Sequence, residues 1–271
     1  MPEFAYNGKS VYYEEHGEGE PLLILNGIFM SCASWMAFIP SFSEKNRLIL
    51  LDFPDQGRSA KLDFEYTQDM QAEIVLALLD KLGLESVNLM GISYGGEVAV
   101  KFAAKNPARA KKLILSNTSA STSSWLRDIG HSWEYAYKSC DGHQFFKTCI
   151  PIVYSPQFYE KNYAWLSARE DLFVKLFTPD VYDAFGRLTR SAETYDEREN
   201  LGKITAKTLV ISSEYDFVTP LYQQKELAEA IPGAGHVIIQ DAGHAVMYEK
   251  PNEFASLVLG FVNSDLNIPV M

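Results

Sequence analysis

Cysteine is scarce in this 271-residue chain: Cys32, Cys140 and Cys149 are the whole complement. They are odd in number, with no C-x-x-C pair and no Cys/His ligand spacing, which excludes a disulfide framework and a thiolate metal site. A chain this long buries enough core to need neither staple, so free thiols in a reducing compartment are expected. No apolar run approaches the ~20 residues of a membrane span. The opening Met1-Pro-Glu-Phe-Ala-Tyr-Asn7 has no basic stretch followed by an apolar one, so no secretory signal is read there and a cytoplasmic protein is expected. Basic residues are the minority, 24 Lys and Arg against 35 Asp and Glu, for a net charge of −11. Such a surface repels phosphate backbones and anionic lipid, so neither nucleic acid nor membrane is expected as a partner. Internal repeats and low-complexity segments are absent, and no metal ion or organic cofactor is expected.

What is present is an alternation of short apolar runs and amphipathic segments. Phe4–Tyr6 and Val11–Glu15 read as a hairpin joined at Asn7-Gly8. Buried strands are expected at Pro21–Asn26, Arg47–Asp52, Val87–Met90, Lys112–Ser116, Thr208–Ser212 and His236–Gln240. Between them lie helical patterns. One runs over Trp35–Glu44, interrupted by Pro40. A second is capped by Thr67, carries Met70, Ile74, Leu78 and Leu82 on one face, and stops at Gly83. A third presents Val98, Ala99, Phe102 and Ala103 and stops before Pro107. Others cover about Leu221–Ile231 and open at Pro251. The order implies an α/β fold with a mostly parallel sheet covered on both faces.

The alternation breaks between about Ala120 and Leu201. That stretch has helical patterns and no clear strand, and it holds three of the four tryptophans, seven of the 15 tyrosines and six of the 16 phenylalanines. It reads as a helical cap, residues 120–201, inserted after the sixth strand into a core of residues 1–119 and 202–271. Most of its aromatics are expected in the cap's own core, and some in an apolar pocket.

The pocket is expected above Ser93. Gly91-Ile-Ser-Tyr-Gly95 follows a strand and opens a helix, the context in which G-x-S-x-G makes a sharp turn that exposes a nucleophilic serine. A serine hydroxyl needs a base. Of the five histidines, His16, His131, His143 and His236 read as surface or packing residues. His244, in the loop Asp241-Ala-Gly-His244 beyond a strand's C-terminal end, is where parallel sheets build sites. The acid that orients the base is expected at Asp216, in the loop after Leu209–Ser212, with Glu214 as rival; Asp241 is expected to end its strand. The oxyanion donors are expected to be the backbone N–H groups of Tyr94 and Ile28.

With Leu25-Asn-Gly-Ile28, Asp52-Phe-Pro-Asp-Gln-Gly-Arg-Ser59 and Ser213-Glu-Tyr-Asp216, this set resembles the α/β-hydrolase superfamily over about Val11–Val262. Asn26 stands where many members have histidine. The Asn26-Gly27 start, with small residues and then Trp35, is similar to the subgroup containing a bacterial acyltransferase that joins 3-hydroxyacyl chains in rhamnolipid precursor synthesis. A serine at the elbow sets the chain apart from members with aspartate there, the haloalkane dehalogenases and epoxide hydrolases. The resemblance implies a hydrolase cleaving a small or medium carboxylic ester, thioester or lactone through Ser93, His244 and Asp216; a monomer or a homodimer is expected. An acyltransferase using an alcohol acceptor is the second reading. A non-catalytic ligand receptor or interaction module on the same fold is the third.

Overall fold

The computed structural model describes residues 2–264. Residue 1 and residues 265–271, the outer ends of the two expected core segments, lie outside them. The chain opens with an antiparallel hairpin of β1 (Glu3–Tyr6) and β2 (Lys9–His16), in which Tyr6 pairs with Lys9. Asn7 (φ 49°) and Gly8 (φ 77°) are both left-handed, as a two-residue turn of this hand requires. Then follow β3 (Glu20–Leu25), α1 (Ile39–Phe42), β4 (Asn46–Leu51), α2 (Gln68–Lys81), β5 (Val87–Ile92), α3 (Tyr94–Lys105) and β6 (Ala110–Ser116). The helices α4 (Ser124–Lys138), α5 (Gly142–Cys149), α6 (Pro156–Lys161), α7 (Tyr163–Leu176) and α8 (Pro179–Ser191) separate β6 from β7 (Lys207–Ser213). The chain ends with α9 (Leu221–Ala230), β8 (Gly235–Ile239), α10 (Val246–Glu249) and α11 (Pro251–Asn263).

The eight strands form one sheet, ordered β1-β2-β4-β3-β5-β6-β7-β8. The β2–β4 pair is antiparallel, and every pair from β4 to β8 is parallel. The two-residue strand period explains why the apolar runs are continuous. Leu23 and Leu25 of β3 pack with Ile74, Leu78 and Phe102 on one face. Leu22 and Ile24 pack with Trp35, Phe42, Phe254 and Val258 on the other. A strand covered on both faces has no polar side to alternate with.

One helix expectation is corrected and a second is met in position only. The Trp35–Glu44 segment is a 3₁₀ turn at Cys32–Trp35 and the single turn α1, and Pro40 lies in the first turn of α1 rather than interrupting a longer helix. Proline fits there because a helix's first N–H groups have no intrahelical partner. Thr67 sits at the N-cap of α2, but its hydroxyl meets Asp69 Oδ2 at 3.1 Å and caps no backbone N–H.

The helical excursion closes on itself at its base. Ser121 bridges Asp196, Thr122 N donates to Tyr195 O (2.8 Å) and Glu197 N donates to Ala120 O (2.9 Å). A second tie runs from α8 to the loop after β4. Arg187 Nη2 and Nε donate to the two carboxylate oxygens of Asp55 at 2.8 and 3.0 Å, and the Asp55 side chain is wholly buried. Removing one partner of such a pair strands the other charge. Arg187→Met is expected to lower stability in urea by about 3–5 kcal/mol, and adding Asp55→Asn to recover most of it. A loss in Arg187→Met below about 1 kcal/mol would show that the pair is no anchor.

Candidate active site

The turn between β5 and α3 sets the geometry. Ser93 has φ 54° and ψ −123°, a conformation non-glycine residues rarely hold. The glycines around it are demanded by space. A Cβ on Gly91 would lie 2.3 Å from Gly95 O, and one on Gly95 would lie 2.2 Å from Leu25 O at the end of β3. The strained serine is held by its own backbone: its N–H donates to Ser116 O (2.9 Å), and its carbonyl accepts from Gly96 N, Glu97 N and Thr118 Oγ1.

Ser93, His244 and Asp216 form one hydrogen-bonded chain. Ser93 Oγ and His244 Nε2 are 2.8 Å apart, as are His244 Nδ1 and Asp216 Oδ2. Both His244 and Asp216 are buried. The carboxylate is fixed before it meets the imidazole: Oδ1 accepts from Val218 N and Thr219 N, and Oδ2 from Thr219 Oγ1 and Gln224 Nε2. A carboxylate that accepts from this many donors is held in one orientation. Glu214 is half-buried and turns elsewhere, accepting from Asp241 N at 3.0 Å. Asp241 is exposed, with φ 53°, where the chain leaves β8.

Ile28 and Tyr94 line the same cavity as Ser93 and His244. Tyr94 opens α3. Ile28 follows Gly27, whose added Cβ would lie 3.4 Å from Ser93 Cβ, so this loop runs against the serine. Among the described residues, no turn or side-chain hydrogen bond engages either N–H. The loop is braced from behind. Asn26 Nδ2 donates to Leu51 O and its Oδ1 accepts from Trp35 Nε1, both buried, and Gln56 Nε2 donates to Gly27 O. The uncommon Asn26 thus has a structural use. Phe29 extends the loop into the helical excursion, with ring centroids 4.9 Å from Phe185 and 5.5 Å from Trp133.

Several residues here were not singled out from sequence. Asn117 Nδ2 donates to the carbonyls of Gly243 and His244 and fixes their loop. It lies just beyond β6, at the sheet edge where sites collect, and that position was the available signal. Glu249 accepts from Gly243 N and from Ser155 N and Oγ, tying the same loop to the excursion. Ala245 N also donates to Val153 O. No local pattern marks the contacts of Glu249 with Ser155 or of Ala245 with Val153, which are far apart in the chain. Of the other histidines, His131 lines the cavity near Glu193 (3.6 Å), His143 pairs with Glu170, His16 with Glu14, and His236 Nε2 meets Ser212 Oγ. Burial lowers the His236 pKa. Among the described residues no cluster of three or more His, Cys, Asp or Glu is arranged to hold a metal ion, and no helix is long and apolar enough to cross a membrane.

Residues 20–251 match the family model described as the α/β-hydrolase fold. The solved structure of MGS-M2, an α/β-hydrolase enzyme from a Medee basin deep-sea metagenome library, is 42% identical with a TM-score of 0.97, covering 99% of this chain and 100% of that one. The enol-lactonase of Burkholderia xenovorans LB400 is 25% identical with a TM-score of 0.83, covering 97% and 100%. A protein of Azorhizobium caulinodans named "Putative carbamate hydrolase RutD" is 27% identical over 262 residues, 96% of this chain and 98% of that one.

Glu97, in the first turns of α3, also lines the cavity. It is 3% exposed and accepts from Gln68 Nε2 at 2.6 Å. Burial pushes its carboxyl pKa up to about 8, against the smaller opposing effect of that hydrogen bond. A raised pKa means the folded protein keeps a proton that the unfolded chain releases above its ordinary value of 4.5. This contribution to stability is therefore whole below that value and is lost as pH rises through about 8. Glu97→Gln is expected to match wild type near pH 4.5 and to gain on it steadily up to pH 8, by at most about 5 kcal/mol, then run parallel. Thermal melts of both proteins across that range test it; a constant gap would refute a buried neutral acid.

Proposed function

The chain belongs to the α/β-hydrolase family, and on that premise we propose that it is a serine hydrolase of a small or medium carboxylic ester, thioester or lactone. The observation that carries the reading is the hydrogen-bonded line from Ser93 Oγ through His244 to Asp216, in the wall of a largely apolar cavity. Ser93 Oγ attacks the acyl carbon while His244 Nε2 takes its proton. Asp216 holds the Nδ1 proton and stabilises the imidazolium. The Ile28 and Tyr94 N–H groups receive the oxyanion. Collapse of the tetrahedral intermediate returns the proton from His244 to the leaving oxygen or sulfur and leaves an acyl-serine. Water, deprotonated by His244, attacks that ester, and the acid leaves as Ser93 regains its proton.

The relatives support the reaction class. Carbamates and enol-lactones both present a carbonyl carbon bonded to a heteroatom that can leave. Residues 120–201 are the cap in this reading, and the substrate is a small molecule lying between cap and sheet edge. Trp133, Phe146, Tyr154 and Phe173 bring the cap's aromatic surplus to the cavity wall. That apolar wall also favours, as the second reading, transfer of the acyl group to an alcohol; product analysis with and without added alcohol separates the two.

Ser93→Ala is expected to lower kcat on a chromogenic ester by ~10⁴ to 10⁶. A fluorophosphonate should add one label to wild type and none to the variant. Labelling at another serine with turnover intact would overturn the assignment. Asp216→Asn is expected to cost ~10⁴ in rate, because it removes the charge facing the imidazolium. Glu214→Gln, which keeps an amide oxygen able to accept from Asp241 N–H and loses only the charge, should stay within a few-fold. The reverse pattern in paired kinetics would transfer the role to Glu214.

A further inference from the structure

The charged side chains of the cavity wall are nearly all matched. Arg190 makes a two-point bond to Glu65 and donates to Tyr137 Oη, with Glu134 3.6 Å away. Glu134 also holds Lys138. Glu193 faces His131. Glu97 is kept from ionising by its burial. Two guanidinium groups are left, Arg127 and Arg169. Among the described residues neither side chain has a hydrogen bond or a carboxylate partner. Arg127 is exposed and shared with an outer groove.

Arg169 is different. It is half-buried on α7, and its guanidinium carbon lies 4.5 Å from the centroid of Trp165 and 5.7 Å from that of Tyr248. Two rings hold the charge in place without neutralising it. The carboxylates next along the chain are committed elsewhere: Glu170 to His143 and Lys147, Glu249 to Ser155 and Gly243. The cavity wall it shares includes Phe146, Ile150, Val153, Leu166 and Phe173, which cluster with the Tyr248 ring that Arg169 lies against. A fixed, half-buried, unmatched guanidinium at the border of an apolar wall is a receptor for an anion carried on an apolar stem.

We propose that Arg169 is a specificity residue that binds a carboxylate at the far end of the substrate's acyl chain, so that the preferred substrates are monoesters of dicarboxylic acids rather than esters of simple fatty acids. This rests on the ester-hydrolase reading above, and the test separates the two.

The p-nitrophenyl monoesters of succinate, adipate and suberate are compared with the p-nitrophenyl esters of butyrate, hexanoate and octanoate, which match them in chain length. Wild type should favour the carboxylated member of at least one pair by about 10- to 100-fold in kcat/KM, the range of a charge-assisted hydrogen bond. Arg169→Met keeps the stem and removes the charge. It should raise KM for that monoester until the preference disappears, leave kcat nearly unchanged, and leave the neutral esters within about two-fold. A merely structural role would damage both series equally. Arg169→Lys, which keeps the charge but not the fork, should retain part of the preference and covers the case in which the methionine variant does not fold. Arg127→Met should keep the preference in full.

Three results would overturn the proposal: no preference in wild type at any length, a preference that survives in Arg169→Met, or equal loss in Arg127→Met. If wild type hydrolyses neither series, the ester reading falls, and calorimetric binding of the free acids decides Arg169 alone. Adipate or suberate binding about 10-fold tighter than its monoacid, with the difference lost in Arg169→Met, sustains the anion site. Equal binding removes it.

Discussion

One close backbone approach governs this molecule, that of the first turn of α3 to the end of β3. At Gly95 the helix lies so near Leu25 O that a methyl group would overlap it. From that approach follows the left-handed conformation of Ser93, and from the conformation follows a hydroxyl that stands clear of the sheet edge. It also brings the loop after β3 against the serine, so that Gly27 and Ile28 face the same space as His244. The bracing of Asn26 by Leu51 O and Trp35, and of Gly27 O by Gln56, holds the other side of the approach. Strain of this kind costs about 1–3 kcal/mol and survives only where neighbours over-determine it.

The sheet supports this by leaving nothing to local preference. Each parallel strand from β3 to β7 is buried on both faces, so register is fixed by two packed layers at once. The loops at the strands' C-terminal ends therefore start from fixed points. Asp216 and His244 leave neighbouring strands, and Asn117 locks the histidine loop through two carbonyls.

The parts of this architecture that obey a short period could be read from residues alone. Continuous apolar runs mark buried strands, Asn7-Gly8 marks its turn, and Gly91 and Gly95 mark the elbow because no other residue fits. His244 and Asp216 stand out because each follows a strand by a few residues. Glu214 was separable only by geometry, since both acids share that loop and the difference lies in which way each side chain turns. Asn117, Glu249 and the Asp55–Arg187 pair were hidden for a related reason. The partners at the other end, His244, Ser155 and Asp55, lie some ninety to more than a hundred and thirty residues away, and no local pattern encodes such a distance. Proline at position 40 misled because the same ring that breaks a helix interior is welcome in a first turn.

The neck that joins Ala120–Thr122 to Tyr195–Glu197 has a consequence for how such a chain can diverge. Because the two ends of the excursion are hydrogen-bonded to each other, the sheet sees a short connection between β6 and β7 whatever lies beyond. Residues can be gained or lost in most of the helices without altering strand register, provided that Ser155 and Val153 keep their contacts with the histidine loop. The excursion thereby meets the sheet and the elbow through a few defined contacts, at Ser155, Val153 and Arg187. A lineage built on this plan can remodel most of one closed ear while the strands and the elbow stay where they were.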